Sequence, residues 1–228
     1  MFTGIISNQA KVIKKEKHGA QVRFVFRFIH KEKNRPVPGE SIAVNGVCLT
    51  AVKIGRDFFE AVAVRETLEA TTLSSLETGS KVNTERSLKM GDSLGGHFVT
   101  GHIDGCGRIL KIEKSGKNYS FWIQAPPALK PYLAVKGSVG VDGISLTVQA
   151  VKGLSFKVAV IPYTFSHTTL GTKKAGSEVN LEADLVARYL NVLSSSLSPR
   201  KSLIGGARLD SRFKHAGMTK KILKKQGF

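Results

Sequence analysis

Polar and apolar positions alternate along several short stretches of the chain, and this alternation marks strands. Gln21 to Ile29 reads QVRFVFRFI, with β-branched and aromatic residues at period two. Phe58 to Val64 and Phe156 to Ile161 are shorter runs of the same kind. Ser41 to Val52 predicts a strand pair broken at Asn45-Gly46, a dipeptide that tolerates the positive φ angles of a tight hairpin turn. Asp142-Gly143 repeats that signal later in the chain. Many short strands at regular spacing predict an all-β chain of barrels or sandwiches, and a closed barrel has the advantage of leaving no open edge. The period changes only near the end. Ala183 to Leu193 (ADLVARYLNVL) places Leu185, Val186, Tyr189, Leu190 and Leu193 at helical spacing and predicts one amphipathic helix.

The strand pattern occurs twice. Shifted by 97 residues, the two halves align without a gap. Thr3-Gly4-Ile5-Ile6 meets Thr100-Gly101-His102-Ile103, SIAVNGVCLT from Ser41 meets SVGVDGISLT from Ser138, and GSKVNTE from Gly79 meets GSEVNLE from Gly176. About a third of positions are identical across residues 39–88. Two domains of one fold follow, at 1–97 and 98–186. The helix starts at about 183, and its remainder, 187–194, lies outside the repeat. A helix that neither domain needs points to self-association. Residues 195–228 form a basic tail.

Charge modifies this picture less than its size suggests. The 228 residues carry a formal +18, and nine Lys or Arg against one acid from Arg200 onward put +8 of it in the tail. A positive excess prompts a nucleic-acid reading. The aromatics, however, mostly fall on apolar strand faces, and Trp122 is the single tryptophan. Single-strand-binding barrels instead expose aromatics beside basic residues, so nucleic acid is not an expected partner, and the tail is read as a solvated extension. Two cysteines are too few for a disulfide framework. No signal-peptide pattern and no apolar run long enough for a membrane helix is found, so a cytoplasmic protein with no membrane partner is expected.

Six motifs, in this order and spacing, resemble the riboflavin synthase family: MFTGI at the start, GESIAVNGVCLT, RETL at 65–68, GGHFVTGHIDG at 95–105, KGSVGVDGISLTV at 136–148 and GSEVNLEADLVARYL at 176–190. The resemblance covers residues 1 to about 193. It implies two tandem six-stranded antiparallel Greek-key barrels related by a pseudo-twofold axis, with a C-terminal helix that holds a homotrimer together. It implies that two molecules of 6,7-dimethyl-8-ribityllumazine meet between barrels of neighbouring subunits. A four-carbon unit passes from one to the other, giving riboflavin and 5-amino-6-ribitylaminouracil, with no metal and no organic cofactor.

That reaction needs proximity, proton transfer from a weakly acidic methyl group and activation of the other lumazine's C7. His102 is the chosen proton-transfer residue: histidine titrates near neutrality, and it replaces the apolar Ile5 of the first half. His97 is read as an interdomain packing residue. Ser41, Cys48, Ser145, Thr147 and Asp142 complete the expected catalytic set. Strand alternation puts Cys48 and Thr50 on one side and Leu49 on the other, and Ser145 and Thr147 likewise around Leu146. No cation adjoins Cys48 in the sequence, so a binding role is preferred to nucleophilic attack. A D-G aspartate is ordinarily a turn former, and the family pattern is what brings Asp142 and Lys136 to the ligand. Three kinds of segment are expected to line the substrate. Gly4, Ile5, Ile6 and Gly101, His102, Ile103 are the loops. Cys48, Leu49, Thr50 and Ser145, Leu146, Thr147 are the strands. Val62, Ala63, Val64, Arg65, Glu66, Thr67 and Ala159, Val160, Ile161, Pro162, Tyr163, Thr164 would meet the pteridine through backbone groups. Glu66 opposite Tyr163 makes the halves chemically unequal. The competing reading is a carrier resembling the lumazine proteins, which bind without turnover. Such a carrier is expected to degrade one of its two pockets, whereas both CLT and SLT stand here with His102.

Overall fold

The computed structural model describes residues 1–32 and 35–197. Strands β1 (Asn8–His18), β2 (Gln21–Phe28), β3 (Ser41–Val44), β4 (Val47–Ile54), β5 (Phe58–Ala63) and β6 (Lys81–Arg86) close one antiparallel barrel in the order β1-β2-β5-β4-β3-β6. Strands β7 (Gly105–Ser115), β8 (Asn118–Gln124), β9 (Ser138–Val141), β10 (Ile144–Lys152), β11 (Ser155–Val160) and β12 (Glu178–Ala183) close a second in the equivalent order. Both barrels belong to one compact unit, Met1–Leu193. The all-β, doubled-barrel expectation holds, including the hairpins at Asn45-Gly46 and Asp142-Gly143, where Asn45 and Asp142 take φ of 45° and 46°.

Each barrel is filled by alternate strand positions. Phe24, Phe26 and Phe59 are fully buried in the first, with ring centroids 5.5 and 5.0 Å apart along the stack. Phe121, Phe156, Ile109 and Ile123 are fully buried in the second. After β5 and β11 the chain turns into two short helices that the hydrophobic pattern did not announce, α1 (Arg65–Ala70) and α2 (Pro162–His167). The final helix, α3, runs Leu185–Leu197. Its start is later than expected, because Ala183 still pairs in β12 with Val139 and Asp184 caps the helix, its Oδ1 accepting the Val186 amide at 3.0 Å. The helix also extends past the expected end at 194, and the rest of the basic tail lies outside the described residues. Among the described residues no helix is long and apolar enough to cross a membrane.

The barrels meet across a pseudo-twofold axis made of polar groups. The two hairpin turns touch back to back: a Cβ on Gly46 would lie 2.7 Å from the Gly143 amide nitrogen, and one on Gly143 equally close to that of Gly46. Asn83 Nδ2 donates to the Asp142 carbonyl at 2.9 Å, and its repeat partner Asn180 donates to the Asn45 carbonyl at 2.8 Å. Their side-chain oxygens cross back, Asn83 Oδ1 accepting the Thr169 amide and Asn180 Oδ1 the Thr72 amide, both at 2.8 Å. Phe2 and Val99, also repeat partners, exchange backbone hydrogen bonds of 2.7 and 3.1 Å.

Candidate functional site

The loops that precede the strands exchange barrels. The Cys48 amide donates to the Gly101 carbonyl at 3.0 Å, and the Ser145 amide donates to the Gly4 carbonyl at 2.8 Å. Ile103 therefore packs onto the first barrel's core, and Ile6 onto the second's. Glycine is required at both contacts. Gly4 and Gly101 have φ of +76° and +83°, and an added Cβ would stand 2.6 Å from Ser145 Cβ and 2.5 Å from Cys48 Cβ. Each loop is held by a buried glutamate. Glu85 accepts from Thr3 N, Thr3 Oγ1 and Gly4 N at 2.7, 2.6 and 2.9 Å. Glu182 accepts from Thr100 N, Thr100 Oγ1 and Gly101 N at 2.7, 2.7 and 3.0 Å. Burial pushes both carboxyls above the ordinary glutamate range, and these hydrogen bonds partly offset it.

The exchange sorts the expected residues into two clusters, each drawing on both barrels. Cys48 meets Gly101, which His102 and Ile103 follow, and Leu49 and Thr50 continue from Cys48 along β4. Ser145 meets Gly4, which Ile5 and Ile6 follow, and Leu146 and Thr147 continue from Ser145 along β10. The expected alternation is present, with Leu49 and Leu146 buried and Thr50 and Thr147 exposed. Ser41 pairs with Thr50 across β3 and β4. The pairing of β4 with β5 begins at Ala51–Ala61, and that of β10 with β11 at Val148–Val158. Val62–Val64 and Ala159–Ile161 thus stand at the ends where these strand pairs part, beside Cys48–Thr50 and Ser145–Thr147. The first intrahelical bonds of α1 and α2 are Leu68 N to the Val64 carbonyl and Phe165 N to the Ile161 carbonyl. The amides of residues 65–67 and 162–164 therefore precede the helical ladder, except that Pro162 has none. Thr67 and Thr164 give their carbonyls to the hydroxyls of Thr71 and Thr168 at 2.6 and 2.7 Å.

The two clusters differ in their chemistry. The first holds the half-buried Cys48 thiol and the exposed His102 ring. The second holds Ser145, whose hydroxyl is 2.7 Å from His97 Nδ1. His97 is 8% exposed, and burial lowers its pKa, against the opposing pull of Asp184. Sequence reasoning gave His97 only a packing role, because nothing in the chain order places it beside Ser145, 48 residues away. The second cluster also presents Tyr163, 68% exposed and stacked on His167 at 4.0 Å between ring centroids, where the first presents Glu66. Lys136 is exposed and sits beside β10, its amide bonded to the Val148 carbonyl at 2.8 Å. Its φ is 68°, in the slot where the first half uses Gly39 at 87°. A lysine held there carries about 1–3 kcal/mol of backbone strain.

Asp142 is fully buried at the contact between the barrels, where its carbonyl accepts from Asn83 Nδ2. One carboxylate oxygen accepts the Asn180 amide at 2.8 Å and the other is 3.0 Å from Lys173 Nζ. Burial raises its pKa. In the single chain its carboxylate meets groups of the second barrel, the Asn180 amide and the Lys173 ammonium. A cleft of about 720 Å³ is lined by Thr3, Ile5, Ser7, Glu85, Arg86 and Gly95 among others. It adjoins the first loop and does not reach Cys48–Thr50 or Ser145–Thr147. Thr50, Thr147, Ile5 and His102 are exposed, so both clusters are open shelves on the single chain.

The Lumazine binding domain family matches twice, at residues 3–87 and 100–184. The chain is 43% identical over 188 residues to a riboflavin synthase of Chlamydia muridarum, covering 82% of this chain and 92% of that protein. It is 42% identical over 196 residues to a riboflavin synthase of Brucella abortus, covering 83% and 96%. The crystal structure of LumP complexed with riboflavin superimposes with a TM-score of 0.72 at 27% identity, over 80% of this chain and 99% of that one. The doubled match, the curated relatives and the matching barrels agree: the chain belongs to the riboflavin synthase family of proteins with duplicated lumazine-binding domains.

Proposed function

We propose that this chain is a riboflavin synthase, converting two molecules of 6,7-dimethyl-8-ribityllumazine into riboflavin and 5-amino-6-(D-ribitylamino)uracil. The observation that carries the reading is the pair of equivalent clusters under exchanged loops, in a chain about 40% identical to curated riboflavin synthases over most of its length. Like backbone frames suit like substrates. The side-chain differences suit unlike roles.

In this reading, segments 62–67 and 159–164 hold the two pteridines by main-chain groups. Thr50 and Thr147 present hydroxyls, and Lys136 presents an ammonium group on the exposed turn before β9. His102 removes or returns a proton above the first shelf. His97 polarises the Ser145 hydroxyl on the second, next to the C7 position that must accept a nucleophile. Much of the rate comes from holding two ring systems in contact. A homotrimer belongs to the same proposal: Val186, Tyr189, Leu190 and Leu193 leave an exposed apolar face on α3, and open shelves on one chain gain a roof from a neighbour. A cytoplasmic location accompanies it.

Incubation of the protein with the lumazine alone tests the function. One riboflavin per two lumazines, without added cofactor, is expected, and His102→Ala keeps binding while losing turnover. Tight binding without riboflavin in the parent protein supports the carrier reading instead.

A further inference from the structure

The end of β12 and the first turns of α3 grip one loop from two sides. Glu182 holds the start of loop 100–104 through Thr100 and Gly101, as described above. At the other end, Asp104 Oδ2 accepts the Ala183 amide at 2.8 Å, and Arg188 Nη2 donates to Asp104 Oδ1 at 2.6 Å. The Arg188 guanidinium also lies 5.3 Å from the Tyr132 ring centroid, so it is seated on a third element. His102 stands between these two fixed ends, and its own amide donates to Thr100 Oγ1 at 3.3 Å.

The first half shows that a barrel does not need this second grip. There the loop starting at Thr3 is held by Glu85, but Ser7 stands where the second half has Asp104, and Gly91 where it has Arg188. Ser7 makes only a 3.4 Å bond from its hydroxyl to the Thr84 carbonyl. The extra grip is confined to the loop that carries a histidine, and it is supplied by the helix whose apolar face is exposed.

We propose that Arg188 is a positioning residue: by holding Asp104 it fixes the loop that carries His102 next to the Gly101–Cys48 contact, and makes that geometry depend on α3 being docked. The proposal rests on the reading of His102 as a proton-transfer residue. A planar guanidinium that pairs with a carboxylate and stacks on a ring fixes direction as well as distance. Errors of an ångström in such placement are costly to turnover.

The test compares Arg188→Gln, Arg188→Lys, Asp104→Asn and the double variant Arg188→Gln/Asp104→Asn in the full chain. Turnover, KM, sedimentation and the His102 ring signal by NMR, assigned with His102→Gln, are measured on each. Arg188→Gln is expected to lower kcat about tenfold with KM changed less than about twofold and assembly unchanged. The His102 signal shifts in Arg188→Gln and Asp104→Asn, and Arg188→Lys, which keeps the charge without the planar fork, restores only part of both readouts. The double variant is no worse than the poorer single one. An unmoved His102 signal, losses that add in the double variant, or a kcat that falls only with the assembled fraction each overturn the proposal. If the parent protein makes no riboflavin, the functional reading falls, and the His102 signal alone decides whether the grip exists.

Discussion

Asn180→Ala tests the account of the axis between the barrels. Asn180 is fully buried, and its side chain makes two bonds across the interface, accepting the Thr72 amide and donating to the Asn45 carbonyl, each at 2.8 Å. Alanine removes both and leaves a backbone donor and a backbone acceptor in a dry environment. Each orphaned group costs about 1–3 kcal/mol, so the loss is about 2–6 kcal/mol. Domains of this size hold only about 5–15 kcal/mol in total, so the variant is expected near the edge of folding. Asn83→Ala removes the pseudo-symmetric pair of bonds, to Thr169 and Asp142, and is expected to lose a similar amount. The two sites share one interface, so the double variant falls short of the sum. Urea unfolding followed through Trp122 fluorescence and far-ultraviolet circular dichroism reads these differences. A loss under about 1 kcal/mol for either single variant would refute the claim that these asparagines hold the barrels together.

Gly101→Ala sets a Cβ 2.5 Å from Cys48 Cβ at a φ of +83°, so the loop must lift. Turnover is expected to fall at least tenfold while both barrels stay folded, and normal kinetics would count against the shelf geometry. Glu182→Gln replaces an acceptor oxygen by an amide that cannot accept one of three donated bonds. A loss of about 1–3 kcal/mol in urea unfolding is expected, with impaired turnover; unchanged stability and rate would show that the anchor is dispensable. His97 carries a pH signature. Burial lowers its folded pKa, so as pH falls through about 6.5 the unfolded chain takes up its proton first. Stability is therefore retained above about 6.5 and lost below it, by at most ~1.4 kcal/mol per pH unit, until the folded value is passed. Melting curves of the parent and His97→Gln should diverge in slope below that pH, and parallel curves would refute the buried neutral ring.

Much of the fold was legible because strand alternation and the 97-residue repeat are properties of the chain order itself. Strand β1 was not, since Lys14, Lys15, Glu16 and Lys17 break the pattern around a bulge between Val12 and Lys14. Helices α1 and α2 span six residues each, too short for helical periodicity to emerge. Pro162 at the start of α2 was the one readable signal. The candidate residues at the two shelves were found from motifs, but their grouping was not. Nothing in the order of residues says that Gly101 covers Cys48, or that His97 reaches Ser145. The same motifs named Asp142 but carried no signal of its full burial beside the axis.

The exchange of loops explains why two unequal shelves occur in one chain. A barrel with its own loop could bind one lumazine, but two identical barrels would treat both molecules alike. Here each shelf takes its floor from one barrel and its cover from the other, so neither is complete without both halves. The shared parts, Gly4 with Gly101, Thr50 with Thr147 and Thr67 with Thr164, suit recognition of the same molecule twice. The divergent parts, Ile5 against His102, Cys48 against Ser145 and Glu66 against Tyr163, give the two shelves different side chains on that frame. Duplication inside one chain allows those positions to differ while the backbone frame stays common. A homodimer of single barrels could not do this, because any change would appear on both sides at once.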